Sequence, residues 1–332
     1  MSYRTAFNPH GLYNQEQSER DIYRGYTIDS KNARILDDGF KISRHKNGGY
    51  LIEYYIADTA LFFQSLGEKP HIAKRDGKHE EIDVNDFRSH CSLTNDTPKP
   101  AIRIAFVLDE NAFIVSKSIK RVLFENIHQM TDETYKAFRR KNPEEAALQD
   151  ECTSKISNNY MTNVKDINSP IQALSTLVNG QLTAYCHARH LPILYQSHRL
   201  KLNGSKDTFY CFERAQQAAL KSGIIDHPSQ FQRDVHYFFE KKKRTKPFPI
   251  ESTTTKAQFY ARFTSPMRNL YDAINIQILC AHLEKTPVPY TVDELKTIIR
   301  AVEEKTKEHE ISKKDSHKGS RKQHRPKRRS FN

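Results

Sequence analysis

Three carboxylates, Asp29, Asp37 and Asp38, fall within the stretch TIDSKNARILDDGF, around one short turn between two strand-like runs. Several hard oxygen donors brought so close together are what a magnesium site requires. Adjacent like charges stay ionised in a folded chain only where a cation, hydrogen bonds or open water compensates them. Asp and Asn also favour turns through side-chain bonds to the backbone. By itself the stretch fits either a divalent-cation site or a solvated turn.

A second stretch with chemical content is ARFTSPMRNLYDAINIQIL, residues 261–279. Ser265 reads as a helix N-cap with Pro266 in the first turn, where its missing N–H does no harm. Leu270, Tyr271, Ile274 and Ile278 then make the buried face. Arg268 would sit near the positive end of that helix, where a cation gains nothing from the dipole. Its position makes sense if it faces an anion.

The elements that must position these groups follow from the pattern of the chain. Asn47, Gly48 and Gly49 supply a hairpin turn ahead of an apolar strand, Tyr50 to Ala57. Two further strands join at Asp109 to Asn111. From Thr131 the spacing becomes helical through about Ile156. A later helix carries Leu174, Leu177, Val178, Leu182, Tyr185 and Cys186 on one face, and FYCFERAQQAALKSG reads as another. FFEKKKRTK is a basic run flanked by aromatics, and GEKPHIAKRDGKHEEIDVNDF is a charged connector. Thr291 to Glu294 opens a last helix with a capping box, running to about Glu308.

The chain of 332 residues can bury a sizeable core. It has no run of about 18 apolar residues and no apolar signal core at its start, so neither a membrane partner nor secretion is expected. Cys91, Cys152, Cys186, Cys211 and Cys280 show no C-x-x-C pairing. They read as buried free thiols of a cytoplasmic protein. Of the net charge of +13, eight units sit in residues 313–329, where nine Lys or Arg stand against one acid. That tail, with Arg325 and Arg328, lacks the apolar residues that would offset ordering entropy and is expected to be disordered. It reads as a phosphate-binding arm giving sequence-blind, salt-dependent affinity for nucleic acid. Lys242, Lys243 and Arg244 of the other basic run would track phosphates beside an RNA channel.

TIDSKNARILDDGF followed by YLIEYYIADTALFF resembles the catalytic signature of the RNB family, the ribonuclease II and ribonuclease R type of exoribonucleases. The matching positions are Asp29, Asp37, Asp38 and the strand end Ile56, Ala57, Asp58. Cys91, Ser92 and Leu93 match a Cys-Ser-Leu element of the family. Pro192, Leu194, Tyr195 and His198 match a later segment, in which Gln196 replaces an arginine. Phe263, Thr264, Ser265, Pro266, Arg268 and Asp272 match its Thr-Ser-Pro signature, with Arg262, Asn269 and Leu270 replacing other residues. The family's further aspartate two residues before the Asp pair is Ile35 here, and an acidic residue common ahead of Asn179 is Gln172. The aromatic clamps for the RNA end find no match.

The resemblance covers roughly residues 25–305. It implies an α+β catalytic domain with a mixed β-sheet core surrounded by helices, spanning 25–308 between a lead-in of residues 1–24 and the basic tail of 309–332. It also implies hydrolysis of RNA from a single-stranded 3′ end, releasing nucleoside monophosphates. Magnesium, or manganese, would be the cofactor, with no organic small-molecule cofactor. Asp29 and Asp38 would hold the cation, and Asp37 would ligate it or orient the water. Arg268 would stabilise charge on the phosphate, and Ser265, Arg262 and Tyr195 would touch RNA. An alternative of another class is an RNA-binding or regulatory protein of the same fold with weak or no nuclease activity, which Ile35 and Gln172 favour.

Overall fold

A computed structural model describes residues 20–67, 69, 84–160, 170–202, 208–209, 239–246 and 260–301 of the chain. Five strands, β1 (Ile22–Asp29), β2 (Asp38–Arg44), β3 (Tyr50–Ala57), β4 (Lys99–Leu108) and β5 (Ile114–Thr131), pair in sequence order and close into a barrel. Successive pairs are antiparallel, and β5 returns alongside β1 in parallel. The sheet is therefore mixed, as the resemblance implied. Closure removes the free edges that an open sheet would expose.

The aromatic and β-branched run of β3 is buried along nearly its whole length, because one face lines the barrel and the other is covered. Inside, the rings of Tyr55 and Phe124 pack in a tilted pair at 4.5 Å between centroids. They fit because Gly25 and Gly39 stand on β1 and β2. A Cβ at either position would come within 2.9 Å of the Phe124 ring. The barrel wall thus closes on a large aromatic pair only where two strands carry no side chain.

Helix α1 (Thr59–Leu66) is capped by Asp58, whose side chain accepts the Leu61 N–H at 3.1 Å, and ends at Gly67 with φ 65°. Helix α2 (Val84–Cys91) occupies the end of the expected charged connector. The helical run expected from Thr131 divides into α3 (Asp132–Lys141) and α4 (Pro143–Tyr160), since Pro143 starts a helix more readily than it continues one. Thr131 caps α3 reciprocally with Thr134. Helix α5 (Pro170–His187) buries Leu174, Leu177, Val178, Leu182 and Cys186 as its spacing predicts, with Asn179 and Thr183, whereas Tyr185 is only half-buried.

Beyond it, β6 (Tyr195–Leu202), β7 (Thr208–Phe209) and β8 (Phe239–Lys246) form a three-stranded sheet in the order β7-β6-β8. Helix α6 (Leu270–Leu283) starts later than its sequence suggests. Asn269 is its N-cap, accepting the Tyr271 N–H at 3.0 Å, and Ser265 to Arg268 form a separate turn. Ser265 does not cap it, because the N–H groups its hydroxyl would accept are taken: the Met267 N–H goes to Asp37 Oδ1 and the Arg268 N–H to the Ser265 carbonyl. Nor is α6 buried on one face only, since every residue from Asp272 to Ala281 is buried.

The chain divides into two compact units, Met1–Pro289 and Tyr290–Asn332. Pro287 and Pro289, which cannot donate to a continuing helix, stand just ahead of the second unit. In the second unit a helix α7 spans residues 292–301, and Thr291 and Glu294 cap it reciprocally, as the capping box predicts. Cys91, Cys152, Cys186 and Cys280 are free and buried. Among the described residues no helix is long and apolar enough to cross a membrane. The helix expected in FYCFERAQQAALKSG, Cys211 and the basic tail lie outside the described residues.

Candidate active site

The barrel and α6 bring the two signatures together. β1 delivers Asp29 at its last residue, where it pairs in register with Thr131, and β2 opens on Asp38 opposite Ile56. The loop between them is fixed by the Cys-Ser-Leu element. Ser92 Oγ accepts the Leu36 N–H at 3.0 Å, and the Leu93 N–H donates to the Leu36 carbonyl at 3.0 Å. Asn126 on β5 ties that element to β1, donating to the Leu93 carbonyl at 2.8 Å and to Thr27 Oγ1 at 2.9 Å. The Ala57 N–H bonds the Asp37 carbonyl at 2.8 Å, so the Asp pair is anchored from two sides.

Asp37 is fully buried, with both carboxylate oxygens engaged. Oδ1 accepts the Met267 N–H at 2.7 Å and Oδ2 accepts from Arg268 Nε, joining residues 231 positions apart. The Arg268 side chain is 55% exposed, so its guanidinium has one side on Asp37 and the other open. Because it belongs to the turn before α6 and not to the helix, it projects beside the helix start. Burial pushes the Asp37 carboxyl up, and the Met267 N–H and Arg268 oppose that rise.

Asp38 accepts from the Tyr54 hydroxyl. Burial pushes its carboxyl up to about 7, against Tyr54, with Asp37 and Asp29 adding to the rise. Asp29 is likewise pushed up to about 7, chiefly by burial, with Arg268 opposing and Asp37 and Asp132 adding. Its Oδ2 is buried with no hydrogen-bond partner. The three carboxylates feel one another, yet they do not converge on one point. Among the described residues no group of three His, Cys, Asp or Glu side chains is arranged to hold a metal ion. In this arrangement Asp37 faces Arg268 and Met267, and Ile35 brings no oxygen to the loop.

Magnesium still suits what remains. An orphaned, buried, hard oxygen on Asp29 and the carboxyl of Asp38 are unfavourable as bare anions, and a divalent cation would relieve both. Magnesium is commonly held by one or two carboxylates, with waters and substrate phosphates completing its shell.

Ser265 and Arg262 border the same turn. Arg262 lies 3.6 Å from Asp272 and donates weakly to Ser265 Oγ at 3.4 Å. Asp272 accepts the Ser265 N–H at 2.9 Å through Oδ2, while its Oδ1 is buried without a partner, and burial pushes its carboxyl up to about 6. Tyr195 lies in the core. It is 3% exposed, because its segment packs beneath α6 through Asn275. Lys242, Lys243 and Arg244 fall on β8, paired in register with Arg199, His198 and Ser197, and their side chains are outside the described set. Arg325 and Arg328 are outside it altogether. Sequence reasoning gave no role to Ser92, Tyr54 or Asn126. The Cys-Ser-Leu match was the available signal for Ser92.

No family model and no curated protein matches the chain. Solved structures do, and they define an RNB-like fold. An active-site mutant of the Dss1 exoribonuclease from Candida glabrata superposes with a TM-score of 0.61 at 17% identity, covering 87% of this chain and 48% of that one. The apo form of Mycoplasma genitalium RNase R gives 0.60 at 13% identity, over 89% of this chain and 56% of that one. Yeast Ssd1, described as a pseudonuclease, gives 0.61 at 11% identity, over 90% and 44%. The chain thus spans about half the length of these proteins.

Proposed function

We propose that the chain is a divalent-cation-dependent exoribonuclease that hydrolyses single-stranded RNA from its 3′ end and releases nucleoside monophosphates. The observation that carries this reading is the Asp37–Arg268 pair. It joins the two signatures into one carboxylate-rich corner with a half-exposed guanidinium beside it. A neighbour named as an exoribonuclease supports it, as does the fact that Mycoplasma genitalium RNase R is solved with double-stranded RNA and with ribose-methylated single-stranded RNA.

Asp29 and Asp38 would hold magnesium or manganese, which when bound supplies a more acidic water and neutralises phosphate charge. The rest is work for the chain's own groups. Arg268 places its open side against the phosphate and offsets the charge that develops during in-line displacement. Asp37 fixes the guanidinium through Oδ2, while Met267 fixes Asp37 through Oδ1, so the cation of Arg268 is presented without a reorganisation cost. Once the substrate phosphate shares Arg268, Asp37 is placed to orient the attacking water. Ser265 and Arg262 contact the strand at the same turn. Lys242, Lys243, Arg244, Arg325 and Arg328 hold its backbone, which makes affinity fall with salt.

A second reading, an RNA-binding protein of this fold with little nuclease activity, is favoured by Ile35, by the lack of a three-ligand group among the described residues and by the likeness to the pseudonuclease. One experiment separates them. Purified protein is incubated with 5′-labelled single-stranded RNA in magnesium, manganese or chelator, beside Asp37→Asn and Arg268→Ala. Metal-dependent 3′ shortening that both variants lack supports the hydrolase. Salt-sensitive binding without shortening under any cation leaves the binding protein.

A further inference from the structure

The segment Tyr260 to Arg268 delivers Arg268 to Asp37, yet among the described residues its contact with a sheet is the isolated bridge between Ala261 and Tyr195. An extended segment outside a ladder must satisfy its backbone groups elsewhere. Side chains of two helices do this here. On α5, Asn179 Oδ1 accepts the Phe263 N–H at 2.8 Å, and its Nδ2 donates to Thr264 Oγ1 and to the Tyr260 hydroxyl, both at 3.2 Å. One turn further, Thr183 Oγ1 accepts the Ala261 N–H at 2.7 Å. On α6, Asn275 Nδ2 donates to the Arg262 carbonyl at 2.9 Å.

These three side chains are buried in helices where apolar residues would pack as well and favour the helix more. A buried amide is tolerated only when its hydrogen bonds are made. The described bonds of the Asn179 side chain all go to residues 260–264. Three positions further on, the same backbone donates Met267 N–H to Asp37 and presents Arg268.

We propose that Asn179 is a positioning residue for phosphate contact: its buried amide splints residues 260–264 and so sets where Arg268 meets the RNA phosphate. The inference rests on the hydrolase reading and deepens it. Asn179 touches no reacting atom and acts through Arg268. Displacing a charge-stabilising group by about an ångström lowers a rate by about a hundredfold. Asn179→Ala therefore lowers kcat by about ten- to a hundredfold, with KM changed much less.

The test is a double-mutant cycle in full-length protein, measuring kcat and KM on a single-stranded RNA in magnesium for Asn179→Ala, Arg268→Ala and the pair. Because the residue acts through Arg268, Asn179→Ala has little further effect once Arg268 is gone. Equal fold-losses in both backgrounds would overturn the proposal. Gln149→Leu, which removes a buried bond to Tyr135 on α3 at 2.6 Å, is the structural control and must be additive with Arg268→Ala. Non-additivity there would mean general softening, and would also overturn it. If Asn179→Ala does not fold, Thr264→Val, which keeps the volume and removes one partner of the amide, takes its place in the cycle. If wild-type protein leaves RNA intact in both magnesium and manganese, the hydrolase reading fails. The same cycle is then read in dissociation constants for the RNA, where coupling supports the splint and additivity overturns it.

Discussion

Removing either member of the Asp37–Arg268 pair should have opposite consequences for stability. Asp37 is fully buried and keeps one N–H, from Met267, when Arg268 is lost, whereas the Arg268 side chain is 55% exposed and can turn to water when Asp37 loses its charge. Breaking a buried ion pair from one side costs about 3–5 kcal/mol, and the exposure of Arg268 reduces this to about 1–3 kcal/mol for Arg268→Ala at neutral pH. Asp37→Asn keeps an acceptor for Met267 and removes a charge that repels Asp29 and Asp38. It should be neutral or stabilising, as is common when a site held for function is relieved. The double variant should recover most of the loss. Urea unfolding at constant m, in chelator, measures all three. The pH dependence follows from the direction of the shift. Burial already raises the Asp37 carboxyl, and losing Arg268 raises it further. The deficit of Arg268→Ala is therefore full above that raised pKa and shrinks as pH falls and the carboxyl takes up a proton. Equal losses for Asp37→Asn and Arg268→Ala, or a deficit that does not shrink as pH is lowered into the acid range, would refute this account of the site.

Ser92→Ala leaves the Leu36 N–H buried without its acceptor and should lower unfolding free energy by about 1–3 kcal/mol, seen as a lower urea midpoint. Asp58 is fully buried and accepts from Arg121 at 2.7 and 3.0 Å and from Arg20 at 3.2 Å. Asp58→Asn removes the buried charge that both guanidiniums bind, and chemical denaturation should show a loss of about 3–5 kcal/mol. Burial raises the Asp58 carboxyl, but Arg121 and Arg20 outweigh it and the net shift is downward. The stability Asp58 supplies is thus present above the usual aspartate range and disappears as pH falls through its lowered pKa, closing the gap to the variant in acid. Asp29 and Asp38 are pushed up to about 7 by burial, so a cation competes with protons there. Millimolar magnesium should raise the melting temperature at pH 8 but not at pH 5, and an unchanged shift in Asp29→Asn would place the cation elsewhere.

Local chemistry carried much of this protein in its sequence. The turn at Asn47 to Gly49, the strands on either side of it, the capping box at Thr291 and the apolar stripe of α5 each depend on neighbours in the chain. So does the crowding of Asp29, Asp37 and Asp38, and it was legible for the same reason. What depends on distant partners was not. The start of α6 moved from Ser265 to Asn269 because Asp37, 230 positions away, claims the Met267 N–H that a Ser265 cap would accept. The burial of Tyr195, whose segment packs against α6, also came from distant partners. Nothing local tells that β5 closes on β1, since the glycines that allow it matter only once Phe124 lies against them. Above all, the sequence supplied three carboxylates and one arginine, and only the folded chain decided that Asp37 binds Arg268 while Asp29 keeps a bare oxygen. Residue types and short spacings fix which groups are available; burial and contacts between residues far apart in the chain fix what charge each of them can bear.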